Sequence, residues 1–88
     1  MAADDPTRVS IRLYAGLQAM IGSRDIEMQL PARATVAQLR DRLAEQYPIV
    51  QAFMPMLVCA VDEEYVPPEH VLRDGDHVAL IPPVSGGR

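Results

Sequence analysis

Only one stretch of this chain has the 3.6-residue period of a long helix, and it sits between segments that alternate like strands. Thr35-Val36-Ala37-Gln38 opens it with the form of a capping box, a hydroxyl at the N-cap and a glutamine three residues on. Val36, Leu39, Leu43 and Tyr47 share one face, Gln38, Arg40, Asp41, Arg42, Glu45 and Gln46 fill the rest, and Pro48 ends the run. A single amphipathic helix has one apolar stripe to bury. Everything else must therefore assemble into one sheet with that helix across one of its faces.

The flanking segments supply the strands. Val9 to Tyr14 alternates with Val9, Ile11 and Leu13 inward, and Asp25 to Leu30 alternates with Ile26, Met28 and Leu30 inward before Pro31 stops it. Leu17, Met20 and Ile21 between them make about one helical turn, broken by Gly22-Ser23, so the two strands form an antiparallel hairpin. After the helix, Pro48 to Pro55 reads as an irregular link. Leu57 to Val61 is apolar without alternation, which predicts a strand covered on both faces. Asp62-Glu63-Glu64 is a polar turn, Tyr65-Val66 a short edge strand before Pro67-Pro68, and Arg73-Asp74-Gly75-Asp76 a turn into a last strand, His77 to Ile81. In that strand Val78 and Leu80 point inward and Ile81 outward. The order predicts an α+β fold of β-grasp (ubiquitin-like) type, a mixed sheet with one long helix packed on one face. Residues 1–8 are expected to be a flexible leader, 9–81 the domain and 82–88 an extended mobile tail.

Composition excludes several functions. The 88 residues carry a net charge of −4 with no basic cluster, which argues against nucleic acid. No apolar run reaches membrane-spanning length and Met1 to Thr7 lacks the pattern of a signal peptide, so a cytoplasmic protein without membrane contact is expected. One cysteine excludes an internal disulfide, and the two histidines, His70 and His77, lack ligand spacing, so no metal is expected. Cys59 is the one strong nucleophile by type, but no neighbouring base is visible and its apolar strand marks it as a core residue. The carboxylates at 62–64 and at Asp74 and Asp76 flank turns, where such groups are solvated or cap backbone N–H groups. All eight basic residues are arginines, so the chain has no side-chain amine through which to be conjugated.

The chemistry then falls to the tail, Ile81-Pro82-Pro83-Val84-Ser85-Gly86-Gly87-Arg88. Pro82 and Pro83 hold the chain extended as it leaves the sheet. Gly86 and Gly87 fit a channel too narrow for any side chain. From Pro82 to Gly87 the reach is roughly 20 Å. A C-terminal carboxylate on such an arm becomes reactive once a partner adenylates it with ATP, and attack by a persulfide sulfur then leaves a thiocarboxylate.

The segment Leu72 to Gly87, with its Asp-Gly-Asp turn, apolar strand and Pro-Pro-Val-Ser-Gly-Gly ending, closely resembles the MoaD/ThiS family of ubiquitin-like sulfur carriers. The front half agrees in order, and the Pro-Pro pair favours the molybdopterin branch. The resemblance implies a sulfur carrier in molybdenum cofactor biosynthesis, a carrier subunit with no active-site chemistry of its own and no permanently bound cofactor. Its partners would be an E1-like adenylyltransferase that uses ATP, a persulfide sulfur donor, and the large subunit of molybdopterin synthase, where sulfur passes to cyclic pyranopterin monophosphate. Gly87 would bear the sulfur as Gly86 lets it through, with Pro82, Pro83, Val84 and Ser85 as the stem. Tyr14, Tyr65 and Ile81 would form one exposed partner surface around the tail exit. Carriage of sulfur for thiamine, cysteine or tRNA thiolation, and a β-grasp binding or modifier module, stand as alternatives. Arg88 departs from the family pattern, whose working form ends at the second glycine: either a peptidase removes it, or the chain is cut from a fusion, or this form carries no sulfur.

Overall fold

A computed structural model describes residues 6–14 and 16–81. The expected tail, Pro82 to Arg88, and the first five residues of the expected leader lie outside the described residues. The elements run β1 (Thr7–Leu13), α1 (Gly16–Ile21), β2 (Asp25–Leu30), α2 (Val36–Gln46), a 3₁₀ segment (Pro48–Met56), β3 (Val58–Val61), β4 (Glu64–Tyr65) and β5 (His77–Ile81). Five strands form one mixed sheet in the order β2-β1-β5-β3-β4. Only β1 and β5 are parallel; the other three pairs are antiparallel.

The capping box forms as the sequence requires. The Gln38 N–H donates to Thr35 Oγ1 at 3.3 Å, and the Thr35 N–H donates to Gln38 Oε1 at 2.9 Å. Two further N–H groups at this helix start are taken by a later segment, Val36 donating to the His70 carbonyl at 3.0 Å and Ala37 to the Pro68 carbonyl at 2.9 Å. The helix start is thus satisfied from both sides. Val36, Leu39 and Leu43 are buried against Val9, Ile11, Leu13, Met28, Val78 and Leu80 of the sheet, within one core that also takes in Cys59 and Leu72. Gly22 closes α1 at φ 90°, with its N–H donating to the Gln18 carbonyl at 2.9 Å.

Four expectations need correction. The strand begins at Thr7, two residues before the expected boundary, because Thr7 is buried and Arg8 is bonded in both directions to the turn at 74–75. The stretch from Pro48 is not irregular. It is a 3₁₀ segment in which Val50 is fully buried while Phe53 and Met54 pack on the core; Pro48 stands in its first turn, where a missing N–H has no bond to lose. The turn after β3 is tighter than three residues. Asp62 and Glu63 alone occupy it, both at positive φ (51° and 73°) as in a type I′ hairpin, so the edge strand is Glu64–Tyr65 in place of Tyr65–Val66. Finally, β3 is not covered on both faces, since Val58 is 41% exposed.

Because Leu39 is wholly buried between helix and sheet, Leu39→Ala should destabilise the fold by about 3 kcal/mol, whereas Thr35→Ala should cost about 1 kcal/mol through the lost cap. Urea unfolding of both variants checks the ranking; equal losses would contradict it.

Candidate functional site

Among the described residues the face of the sheet opposite α2 has no helix on it, and the register lays out what it presents. Arg12 pairs with Asp25 on β2 and with Ala79 on β5, Ala79 pairs with Ala60 on β3, and Ala60 pairs with Tyr65 on β4. One row of side chains therefore crosses all five strands, large at both ends and only a methyl group at Ala79 and Ala60. The consequence is an open depression of about 690 Å³, with Tyr14, Ile81 and Tyr65 on its walls.

Tyr14, Tyr65 and Ile81, the three residues expected to share a surface, thus line the same depression. Tyr14 is 43% exposed and Tyr65 76%, with Ile81 half-buried. Tyr14 follows Leu13, which pairs with Leu80, so it stands beside Ile81 where β5 ends. Ile81 in turn pairs with Val58. Val58, 41% exposed, extends the apolar surface at this end. Sequence reading missed it. The signal was present in the lack of alternation from Leu57 to Val61, which places apolar side chains on the open face as well as the core face. The residues expected to carry the chemistry, Pro82 to Gly87, lie outside the described residues; the structure places only the point from which they depart.

The other half of the face is charged. Asp25 accepts from Arg12 Nε at 2.9 Å and from Arg24 Nε at 3.2 Å. The hydrogen bond from Arg12, then that from Arg24, holds the Asp25 carboxyl below the usual aspartate range, and the same bond raises Arg12. All three side chains are about half exposed or more, so the group contributes little to stability.

Cys59 is buried, and burial pushes its thiol up to about 11 against a smaller opposing pull from Arg40, so it is neutral at physiological pH and no nucleophile. Asp74 and Asp76 are structural: the Asp74 carboxylate accepts from the Arg8 N–H at 2.9 Å, and that of Asp76 from the Arg73 N–H at 2.8 Å. Among the described residues no cluster of side chains suits a metal ion and no helix is long and apolar enough to cross a membrane.

Hairpin, helix across one face, and a last strand inserted parallel to the first define a ubiquitin-like β-grasp domain, here with an apolar open face at the end where the C-terminal tail departs. The ThiS family matches residues 11–87, and the chain belongs to that family. It is 30% identical over 87 residues to the molybdopterin synthase sulfur carrier subunit of Arabidopsis thaliana, covering 97% of this chain and 91% of that protein. The crystal structure of SAMP1 from Haloferax volcanii superposes with a TM-score of 0.81 at 26% identity, covering 91% of this chain and 99% of that one. A complex of subunits 1 and 2 of molybdopterin-converting factor from Helicobacter pylori contains a chain of the same fold, with a TM-score of 0.65 at 20% identity over 92% of this chain and all of that one.

The lowered Asp25 value gives a titration prediction. A group whose folded pKa is depressed contributes above its unfolded value and loses that contribution as pH falls through the folded one. Carbon-13 NMR of the carboxyl should show Asp25 titrating below the ordinary aspartate range, and Arg12→Ala should move it up. An unmoved midpoint would contradict the pairing.

Proposed function

We propose that this chain is the sulfur carrier subunit of a molybdopterin synthase. The observation that carries the reading is the likeness to the Arabidopsis thaliana carrier subunit over nearly the whole length of both chains, together with a family match that extends through the Gly-Gly pair to residue 87. The sheet face supports it: an apolar surface lies beside the departure point of a tail whose own side chains are small.

In this reading the C-terminal carboxylate of Gly87 is the working group, exposed once Arg88 is removed. A carboxylate resists nucleophiles, so an E1-like adenylyltransferase first joins it to AMP from ATP and releases pyrophosphate. A persulfide sulfur attacks the acyl carbon and AMP leaves; a thiol of a partner protein then attacks the donor's sulfur in the resulting acyl disulfide, which forms a new disulfide and releases the thiocarboxylate. The tail then enters the large synthase subunit, where the sulfur adds to cyclic pyranopterin monophosphate and water returns the carboxylate. No cofactor resides on the carrier, and its own side chains dock and position; they do no bond-making.

The open face supplies the docking. Burying Tyr14, Tyr65 or Ile81 against a partner is worth about 1.5 to 3 kcal/mol for each side chain, which holds the domain at the partner while the tail is engaged. The complex of subunits 1 and 2 in Helicobacter pylori supports a large-subunit partner.

Two variants should separate docking from chemistry. Ile81→Asp should weaken binding to the large subunit by at least about tenfold, through lost burial and a charge forced out of water. Deleting Gly86 and Gly87 should abolish sulfur transfer with thermal unfolding almost unchanged, since a chain terminus contributes few packed contacts. Titration against the large subunit and a single-turnover transfer assay read the two effects. Undiminished binding by Ile81→Asp would remove the face from the interface, and transfer by the shortened chain would remove the tail from the chemistry.

A further inference from the structure

The open face is complementary to itself. β5 is the middle strand of the five, so a two-fold axis along it, lying between two copies stacked face to face, exchanges β1 with β3 and β2 with β4. Such an axis leaves the strands of the two sheets nearly aligned, as packed sheets prefer. Every position on the face then stands against a known position of the second copy.

At the exit end Tyr14 follows Leu13 on β1, Ile81 ends β5, and Val58 on β3 pairs with Ile81. The exchange sets Ile81 on Ile81, and Tyr14 on Val58 in both directions. Tyr14 and Val58 are 43% and 41% exposed, so the apolar row that one copy leaves in water meets its own kind. In the next row Arg12 falls opposite Ala60 of the second copy, the methyl floor of the depression. Asp62 lies two residues beyond Ala60, about 6.6 Å along the strand, and lines the same depression with Glu63. Arg12 gives Asp25 only its Nε, and among the described residues no cation pairs with Asp62 or Glu63. An arginine that enters the depression therefore meets two unpaired carboxylates. Asp25 in turn meets Tyr65, which is 76% exposed and can donate its hydroxyl.

Two features keep the pairing weak. Glu27, opposite Ser10 in the row of His77, comes near the Asp62-Glu63 turn of the second copy, like charge against like. Four inter-strand gaps of about 4.8 Å and four residue steps of about 3.3 Å make a face of roughly 19 by 13 Å. Even with the relief of its side chains this falls short of the roughly 800 Å² per partner of a stable complex.

We infer that two copies of this chain pair through their open faces about a two-fold axis along β5, as a weak homodimer that covers Tyr14, Tyr65 and Ile81 until another partner displaces one copy. The pairing stands on the geometry alone; the displacement rests on the carrier reading, in which the large synthase subunit takes the same face.

The two-fold axis makes a charge exchange the decisive test. Sedimentation velocity from about 10 μM to 1 mM, the range of a weak complex, should show the unaltered chain passing from monomer to dimer, with concentration-dependent NMR shifts at Tyr14, Val58 and Ile81. Arg12→Glu and Glu63→Arg each set like charges together twice, so each alone should pair at least about tenfold more weakly. An equal mixture of the two variants restores opposite charges at both contacts and should form a heterodimer. A chain that stays monomeric throughout, a dimer that both variants leave unchanged, or a mixture no tighter than its components would overturn the pairing. Large subunit added to the dimer should give complexes holding one carrier copy per open face. A dimer that forms as described in a chain to which the large subunit does not bind would support the pairing and count against the carrier reading.

Discussion

The parallel pairing of β1 with β5 joins the first strand to the last, and the rest of the structure depends on it. No hairpin can make that pairing, and it is held at its start by the turn between Arg73 and Asp76. Gly75 stands at φ 89° there and donates its N–H to the Arg8 carbonyl at 2.7 Å, as the Asp74 carboxylate takes the Arg8 N–H at 2.9 Å. The Ser10 N–H then donates to the Asp76 carbonyl at 3.0 Å, and the ladder continues to Leu13 and Leu80. A positive φ at Gly75 is accessible to glycine without strain. The Asp-Gly-Asp sequence is therefore a latch: it sets the register that brings Arg12 opposite Ala79 and leaves Tyr14 beside Ile81.

That register divides the labour between the two faces. Core-facing residues of every long strand pack on α2, and the opposite face is left with two alanines between bulky neighbours. A sheet with one free face is common in antiparallel folds, where the free face is ordinarily polar. Here its exit end is not, for Tyr14 and Val58 are 43% and 41% exposed. An apolar surface at the root of a tail suits a protein whose chemistry happens inside another molecule.

Much of this was legible in the sequence because it is local. The two strands of the first hairpin are marked by alternation and the helix by its capping box. Cys59 was readable as core from its apolar neighbours. The parity that puts Tyr14 and Ile81 on one face required only that β1 and β5 be adjacent. What escaped was set by distant partners. Thr7 and Arg8 look like leader until the turn at residues 74–75 claims them, and Val58 looks buried until the free face is seen beside it. Asp62 and Glu63 carry no glycine or asparagine to announce a turn at positive φ, and two prolines disguised an ordered 3₁₀ segment with Val50 in the core. The tail, where the sequence speaks most plainly of chemistry, lies outside the described residues, so its role is carried by family likeness and by the surface at its root.

The most direct measurement of sulfur carriage is the intact mass of the protein purified from its own cells. Sulfur carriage requires a species ending at Gly87 in which one carboxylate oxygen is replaced by sulfur, converted to the plain carboxylate on incubation with the large subunit and cyclic pyranopterin monophosphate. A single species retaining Arg88, with no sulfur added under any growth condition, would contradict it.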